Sequence, residues 1–186
     1  QKAKEYFELF SKQNNSYAMI QLGKLYSDKI SMPFDFNLAK SYFEKAAKLK
    51  NYNAFVNLGD LYLHEKQDFV RAKEYYDIAA SENNSNALLN LGLLYYQGKG
   101  VKQDYNEAKR YFELSAIQNN SDALYRLGIL HYKGKHITRD YKKAREFFNL
   151  SFEKDNLNAL YYIGTIYENG NGVERDVSKA IECYKT

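Results

Sequence analysis

A Leu-Gly pair returns through this chain on a near-constant beat. Leu22-Gly23, Leu58-Gly59, Leu91-Gly92 and Leu127-Gly128 are followed by the variant Ile163-Gly164, with glycines 36, 33, 36 and 36 residues apart. Five residues before each glycine stands an alanine: Ala18, Ala54, Ala87, Ala123 and Ala159. Three residues after it stands a ring: Tyr26, Tyr62, Tyr95, His131 and Tyr167. A second alanine follows at Ala39, Ala72, Ala108, Ala144 and Ala180. Three and four residues beyond it lie the doublets Tyr42-Phe43, Tyr75-Tyr76, Tyr111-Phe112 and Phe147-Phe148, with Cys183-Tyr184 in the last copy. Ala3, Tyr6 and Phe7 keep the same register and close an earlier copy.

Offsets of three, four and seven put these residues on one helical face. Each copy therefore predicts two helices, A around the Leu-Gly pair and B around the second alanine. A glycine inside a helix costs about 1 kcal/mol relative to alanine, so its recurrence implies a tight contact. One A–B hairpin cannot bury its own apolar face, whereas stacked neighbours can. The expected fold is all-α, a right-handed α-solenoid of antiparallel helix-pair repeats without an internal domain boundary. Residues 1–15 read as helix B of a preceding repeat, followed by repeats at 16–51, 52–84, 85–120, 121–156 and a C-terminally truncated 157–186. The chain reads as a piece of a longer solenoid.

Two turn phrases punctuate the array. Asn14-Asn15-Ser16, Asn83-Asn84-Ser85 and Asn119-Asn120-Ser121 fall between helix B and the next helix A. Asparagine tolerates a left-handed helix end, and asparagine or serine caps the next N-terminus. Asn14, Asn83, Asn119 and Asn149 also open Asn-x-Ser sequons, but the fixed place of the phrase in the repeat favours capping. The A–B loop reads Gly98-Lys99-Gly100-Val101 and Gly170-Asn171-Gly172-Val173, with Gly134-Lys135-His136-Ile137 as a degenerate copy. Asp104, Asp140 and Asp176 follow three residues later. No strand precedes these glycines and no Gly-Lys-Ser/Thr follows, so a phosphate loop is not supported. They read as left-handed turns whose Val or Ile plugs the core.

The loop at Asp28–Asp35 lacks glycine, and the one at His64–Asp68 is three residues shorter.

Ala87, Leu91-Gly92, Tyr95, Gly98, Gly100, Val101, Asp104, Ala108, Tyr111-Phe112 and Ala116 follow the pattern of the Sel-one-like repeats. The chain closely resembles that family, a branch of the tetratricopeptide-like helical repeats, over practically its whole length. The resemblance implies an α-solenoid adaptor that assembles complexes. Members include ER-degradation ubiquitin-ligase adaptors and signalling scaffolds, and in some protists such repeats are joined to kinase domains.

Catalytic, cofactor and metal sites are not expected. The three histidines show no metal-ligand spacing, and His131 takes the place of a packed tyrosine. The lone Cys183 stands in an aromatic position, forbids an internal disulfide and favours a reducing compartment. The longest apolar stretch, residues 87–96, is too short for a membrane span and is broken by Asn90 and Gly92. A cytoplasmic location is expected, with the ER lumen as the alternative if a signal lies upstream. Twenty-seven basic residues against 23 acidic ones give a net charge of +4. Lys4, Lys40, Lys73, Lys109 and Arg145 form a basic ladder one residue after the helix-B alanine. Glu8, Glu44, Asp77 and Glu113 stand four residues on, the spacing of helical ion pairs. The ladder is thus expected to be neutralised, and nucleic acid is not an expected partner.

Helix A of such solenoids lines the concave face. Its exposed stripe is expected six and two residues before, and one and five after, each glycine. From this stripe Asn57, Asn90, Leu93, Arg126, Ile129 and Tyr162 are the expected partner-binding residues, with asparagines for a peptide backbone and Leu93, Ile129 and Tyr162 for apolar side chains, in a groove centred on repeats three to five. The expected function is a non-catalytic interaction scaffold that binds a protein or an extended peptide. Flanking parts of its own chain are candidate partners. The alternatives are a regulatory segment of a larger enzyme such as a kinase, and an RNA-binding helical array.

Overall fold

The turn residues determine where each helix starts. In the computed structural model, which describes residues 2–30, 33–134 and 137–185, Asn14, Asn83 and Asn119 have φ of 57, 57 and 59°. Lys50 and Asp155 hold the same left-handed place in the other repeats, with φ of 58 and 65°. The next residue caps helix A. Asn15 Oδ1 accepts from the Ala18 amide at 3.0 Å, Asn84 from Asn86 and Ala87, and Asn120 from Ala123. The serine is then the first helical residue.

Helix B has its own cap. The side chains of Asp35, Asp68, Asp104, Asp140 and Asp176 each accept from a first-turn amide, such as Lys143 N to Asp140 at 2.9 Å. The backbone N–H of each of these aspartates also donates back to the carbonyl of the helix-A ring residue: Tyr26, Tyr62, Tyr95, His131 and Tyr167, at 2.9–3.1 Å. Loops of different length thus close on one bond. Gly98 and Gly100 supply φ of 67 and 69° within the third such loop. Val173 and Ile137 pack against the core as expected. Lys135 and His136 of the degenerate loop, and residues 31–32 of the glycine-free one, lie outside the described residues.

Eleven helices and no strands result among the described residues: α1 Lys2–Ser11, α2 Ser16–Ser27, α3 Phe36–Lys48, α4 Tyr52–Glu65, α5 Phe69–Ser81, α6 Ser85–Gln97, α7 Tyr105–Ala116, α8 Ser121–Lys133, α9 Tyr141–Phe152, α10 Asn158–Asn169 and α11 Val177–Lys185. Even-numbered helices are A and odd-numbered ones B. The fold is the all-α, helical-repeat α-solenoid class, and the chain forms two compact units. The first holds residues 1–87 and 99–101, and the second residues 88–98 and 102–186.

Each unit is built from one contact plan. The repeat alanines are buried, and so is the leucine ahead of each of the first four glycines. The second aromatic of the doublet covers the glycine: Phe43 on Gly23, Tyr76 on Gly59, Phe112 on Gly92, Phe148 on Gly128 and Tyr184 on Gly164. The first aromatic stacks on the helix-A ring. Tyr26 and Tyr42 have centroids 5.8 Å apart, and Tyr62–Tyr75, Tyr95–Tyr111 and His131–Phe147 are each at 5.6 Å. The tight contact expected at the glycine is therefore chiefly ring on backbone, joined at Gly92 by the Ala108 carbonyl. Burying one such ring stabilises by about 1.5–3 kcal/mol, which exceeds the propensity cost of the glycine.

Candidate functional site

In the first unit, α4 presents Asn57, Asp60 and His64 beside Ser27 of α2. With Phe43, Leu61 and Glu65 they line an open groove of about 230 Å³. Asn57 is half-buried and its Nδ2 donates to the Asn53 carbonyl at 2.6 Å, leaving the amide oxygen directed away from that bond. Asp60 accepts a 2.7 Å bond from the Tyr76 hydroxyl. Burial, then the neighbouring Asp60 carboxylate, holds the Tyr76 phenol far above its ordinary pKa, so it remains a donor. Glu65 pairs with Lys29 at 2.9 Å. Of these lining groups, Ser27, Phe43, Leu61 and Glu65 lie outside the stripe read from the sequence. Glu65 is reached because it directly follows His64 at the end of the helix.

The N-terminal edge of the stripe is occupied by the protein itself. Asn84 Nδ2 donates to Asn53 Oδ1 at 2.8 Å, and Asn51 Nδ2 to Ser16 Oγ at 3.0 Å. In the second unit Asn156 Nδ2 donates to Asp122 Oδ1 at 2.9 Å. The capping asparagine thus works twice, with its oxygen on its own helix and its nitrogen on the preceding repeat.

In the second unit Asn90, Leu93, Arg126 and Tyr162 are all half-buried. Ile129 departs from expectation. It is 7% exposed and belongs to the core with Ala144, Phe148, Ala159, Leu160, Ile163 and Ile166. Leu93 likewise packs against buried Leu127 and its neighbours. The residue after the glycine turns toward the second aromatic of helix B, so an apolar side chain there is drawn inward. Asp60 and Thr165 occupy the same position, and each approaches the hydroxyl of the tyrosine covering the glycine. Tyr162 stacks on Phe148 at 4.9 Å and meets Tyr125, Tyr132 and Tyr161 edge-on. Part of its ring is engaged in that cluster. Arg126 sits over the Tyr125 ring at 5.7 Å, and its Nε is buried without an acceptor.

The basic ladder is neutralised on four rungs. Lys4–Glu8, Lys40–Glu44, Lys73–Asp77 and Lys109–Glu113 lie at 3.6, 2.9, 2.7 and 3.0 Å. Arg145, which faces Asn149 in place of an acid, instead approaches the Tyr167 hydroxyl at 3.4 Å. Among the described residues, no group of three or more His, Cys, Asp or Glu side chains could hold a metal. None of the described helices is long and apolar enough to cross a membrane.

The Sel1 repeat family model matches residues 1–15, 16–51, 56–84, 85–120, 121–156 and 157–186. No curated protein matches the sequence. Among solved structures, a Sel1 repeat protein from Oxalobacter formigenes is similar at TM-score 0.87 and 27% identity, covering 99% of this chain and 78% of that one. A protective antigen of uropathogenic Escherichia coli, described as displaying an SLR fold, is similar at TM-score 0.83 and 29% identity. That match covers 98% of this chain, which spans 40% of the antigen's chain. An immunity protein of Pseudomonas aeruginosa shares the fold at TM-score 0.72 and 20% identity, covering 98% of this chain and 71% of that one.

Proposed function

The chain belongs to the Sel1 repeat family, and on that premise we propose that it is a non-catalytic scaffold holding a partner protein or extended peptide on its helix-A faces. Proteins of this family generally mediate protein–protein interaction and are typically non-catalytic. The observation that carries the reading is the α2–α4 groove, where Asn57, Asp60 and His64 line one open trough. An amide and a carboxylate on a rigid helix can bond a peptide backbone at about 1 kcal/mol per net hydrogen bond. In the second unit Asn90, Arg126 and the free part of Tyr162 offer comparable groups. Leu93 and Ile129 serve the core and drop out of the proposed contact set. The four ion-paired rungs of the ladder weigh against an RNA-binding array, because a phosphate backbone needs unpaired cations.

Affinity capture from lysate tests the reading, comparing the wild type with an Asn57→Ala/Asn90→Ala/Arg126→Ala variant whose helicity and melting are checked first. A partner lost with the variant and indifferent to nuclease is the expected result. A partner retained by the folded variant would move the site to helix B or the loops. Nuclease-sensitive capture would overturn the protein-scaffold reading.

A further inference from the structure

We infer that Arg126 is a receptor for a carboxylate, so that the segment held on the second unit's helix-A face carries an aspartate or glutamate side chain at this point. The inference rests on the helix-A reading above and adds the chemistry of the partner.

Arg126 stands two residues before Gly128, where the other repeats have Gln21, Asn57, Asn90 and Tyr162. It is the only charged residue of that rung. Among the described residues, its guanidinium has neither an ion pair nor a hydrogen-bond acceptor. The other arginines are all engaged. Arg71 pairs with Asp68 and Arg110 with Glu107, at 3.3 and 2.8 Å. Arg139, Arg145 and Arg175 reach the Lys133 carbonyl, the Tyr167 hydroxyl and the Glu168 carbonyl. Asp122, one turn back on α8, accepts from Asn156 instead. The fold thus holds a cation with one buried, unpartnered nitrogen, and the described residues supply no ion pair for it.

The open side of the group specifies the ligand. Nε is buried without a partner, while the residue as a whole is only half-buried. That leaves the end of the fork, which matches a planar carboxylate through two parallel N–H···O bonds. The Tyr125 ring beneath it limits the directions in which the fork can swing. Asn90 and Tyr162 occupy the same rung on the preceding and following A helices, so a bound chain has contacts to make on both sides of Arg126. This favours an internal acidic side chain over a chain terminus.

The test uses four pools of 12-residue peptides, randomised around a central residue. Three are capped at both ends and carry central Glu, Gln or Lys. The fourth carries Gln and a free C-terminal carboxylate. Retention is measured on the immobilised wild type, Arg126→Gln, Arg126→Lys and Asn90→Ala, each first shown to be folded by circular dichroism. The wild type should retain the Glu pool about tenfold over the Gln pool, the scale of one charge-assisted contact on a half-exposed face. Arg126→Gln should erase that preference, so that the Glu and Gln pools are retained alike. Arg126→Lys should keep only part of it, because the fork is lost.

Equal retention of the Glu and Gln pools by the wild type overturns the inference, and so does a Glu preference that survives Arg126→Gln. Stronger retention of the free-carboxylate pool overturns it in favour of a chain terminus. In each of those cases, retention that falls with Asn90→Ala leaves the helix-A reading standing. If no pool is retained by the wild type, the inference falls, and the helix-A reading stands or falls on the lysate capture above.

Discussion

The ring of Phe148 lies where a side chain on Gly128 would be. A Cβ on that glycine would stand 2.5 Å from the Phe148 Cε1 and 2.6 Å from its Cδ1, and the ring is itself fully buried. The glycine recurs because a second ring must occupy its face. At Gly164 the covering ring is Tyr184, which is 44% exposed and has room to move.

Gly128→Ala is therefore expected to destabilise the protein by about 1–3 kcal/mol through overpacking, despite the better helix propensity of alanine. Gly164→Ala should be much milder, near neutral. Urea unfolding midpoints of the two variants check this. A gain of stability in Gly128→Ala would refute the ring-on-glycine account.

The capping asparagines separate two roles in adjacent residues. Asn83→Gly should be close to neutral, because glycine suits the left-handed backbone there. Asn84→Ala should lose about 1–2 kcal/mol, since it removes both the cap on α6 and the bond to Asn53. Thermal melts of the pair decide it. Equal effects would mean that the phrase matters only as a spacer.

Asp104 combines a helix-B cap with a backbone bond to the Tyr95 carbonyl. Asp104→Ala removes only the cap and should cost about 0.5–2 kcal/mol. Asp104→Asn should recover most of it, because the amide oxygen accepts in the same place. Denaturation of both variants measures the difference.

His131 makes stability depend on pH. Burial chiefly lowers its pKa below 6.5, aided by Lys143 and Lys109 and opposed by Asp140 and Glu113. Its Nδ1 is buried without a partner while the ring stacks on Phe147. Well above pH 6.5 both folded and unfolded imidazoles are neutral, and the full stability is present. As the pH falls through 6.5 toward the lower folded value, the unfolded chain takes up the proton first and stability declines. His131→Tyr, the residue of four other repeats at this place, should flatten the decline between pH 7 and 5. An unchanged pH profile of the urea midpoint would rule out His131 as its source.

The repeat period, the two helices per copy, the buried alanines and the capping role of Asn-Asn-Ser were legible in the residues alone. Each depends on local properties: side-chain size, helical offset, and the φ an asparagine tolerates. What the residues could not show is which groups meet across the fold. Tyr76 reaches Asp60 from sixteen residues away and Asn84 reaches Asn53 from thirty-one. Ile129 shares its stripe position with the polar Asp60, yet it is buried because Phe148 and the α10 residues close over it. Arg126 Nε is buried without an acceptor, while Asp122, one turn back on its helix, accepts from Asn156 of the next repeat. Helical offset assigns a side chain to a face, but only packed neighbours decide whether that face meets solvent, core or another polar group. Helical offset thus placed Asn57, Asn90, Leu93, Arg126, Ile129 and Tyr162 at equivalent helix-A positions, and tertiary packing decided that Ile129 is core while Asn57, Asn90 and Arg126 stay half-buried.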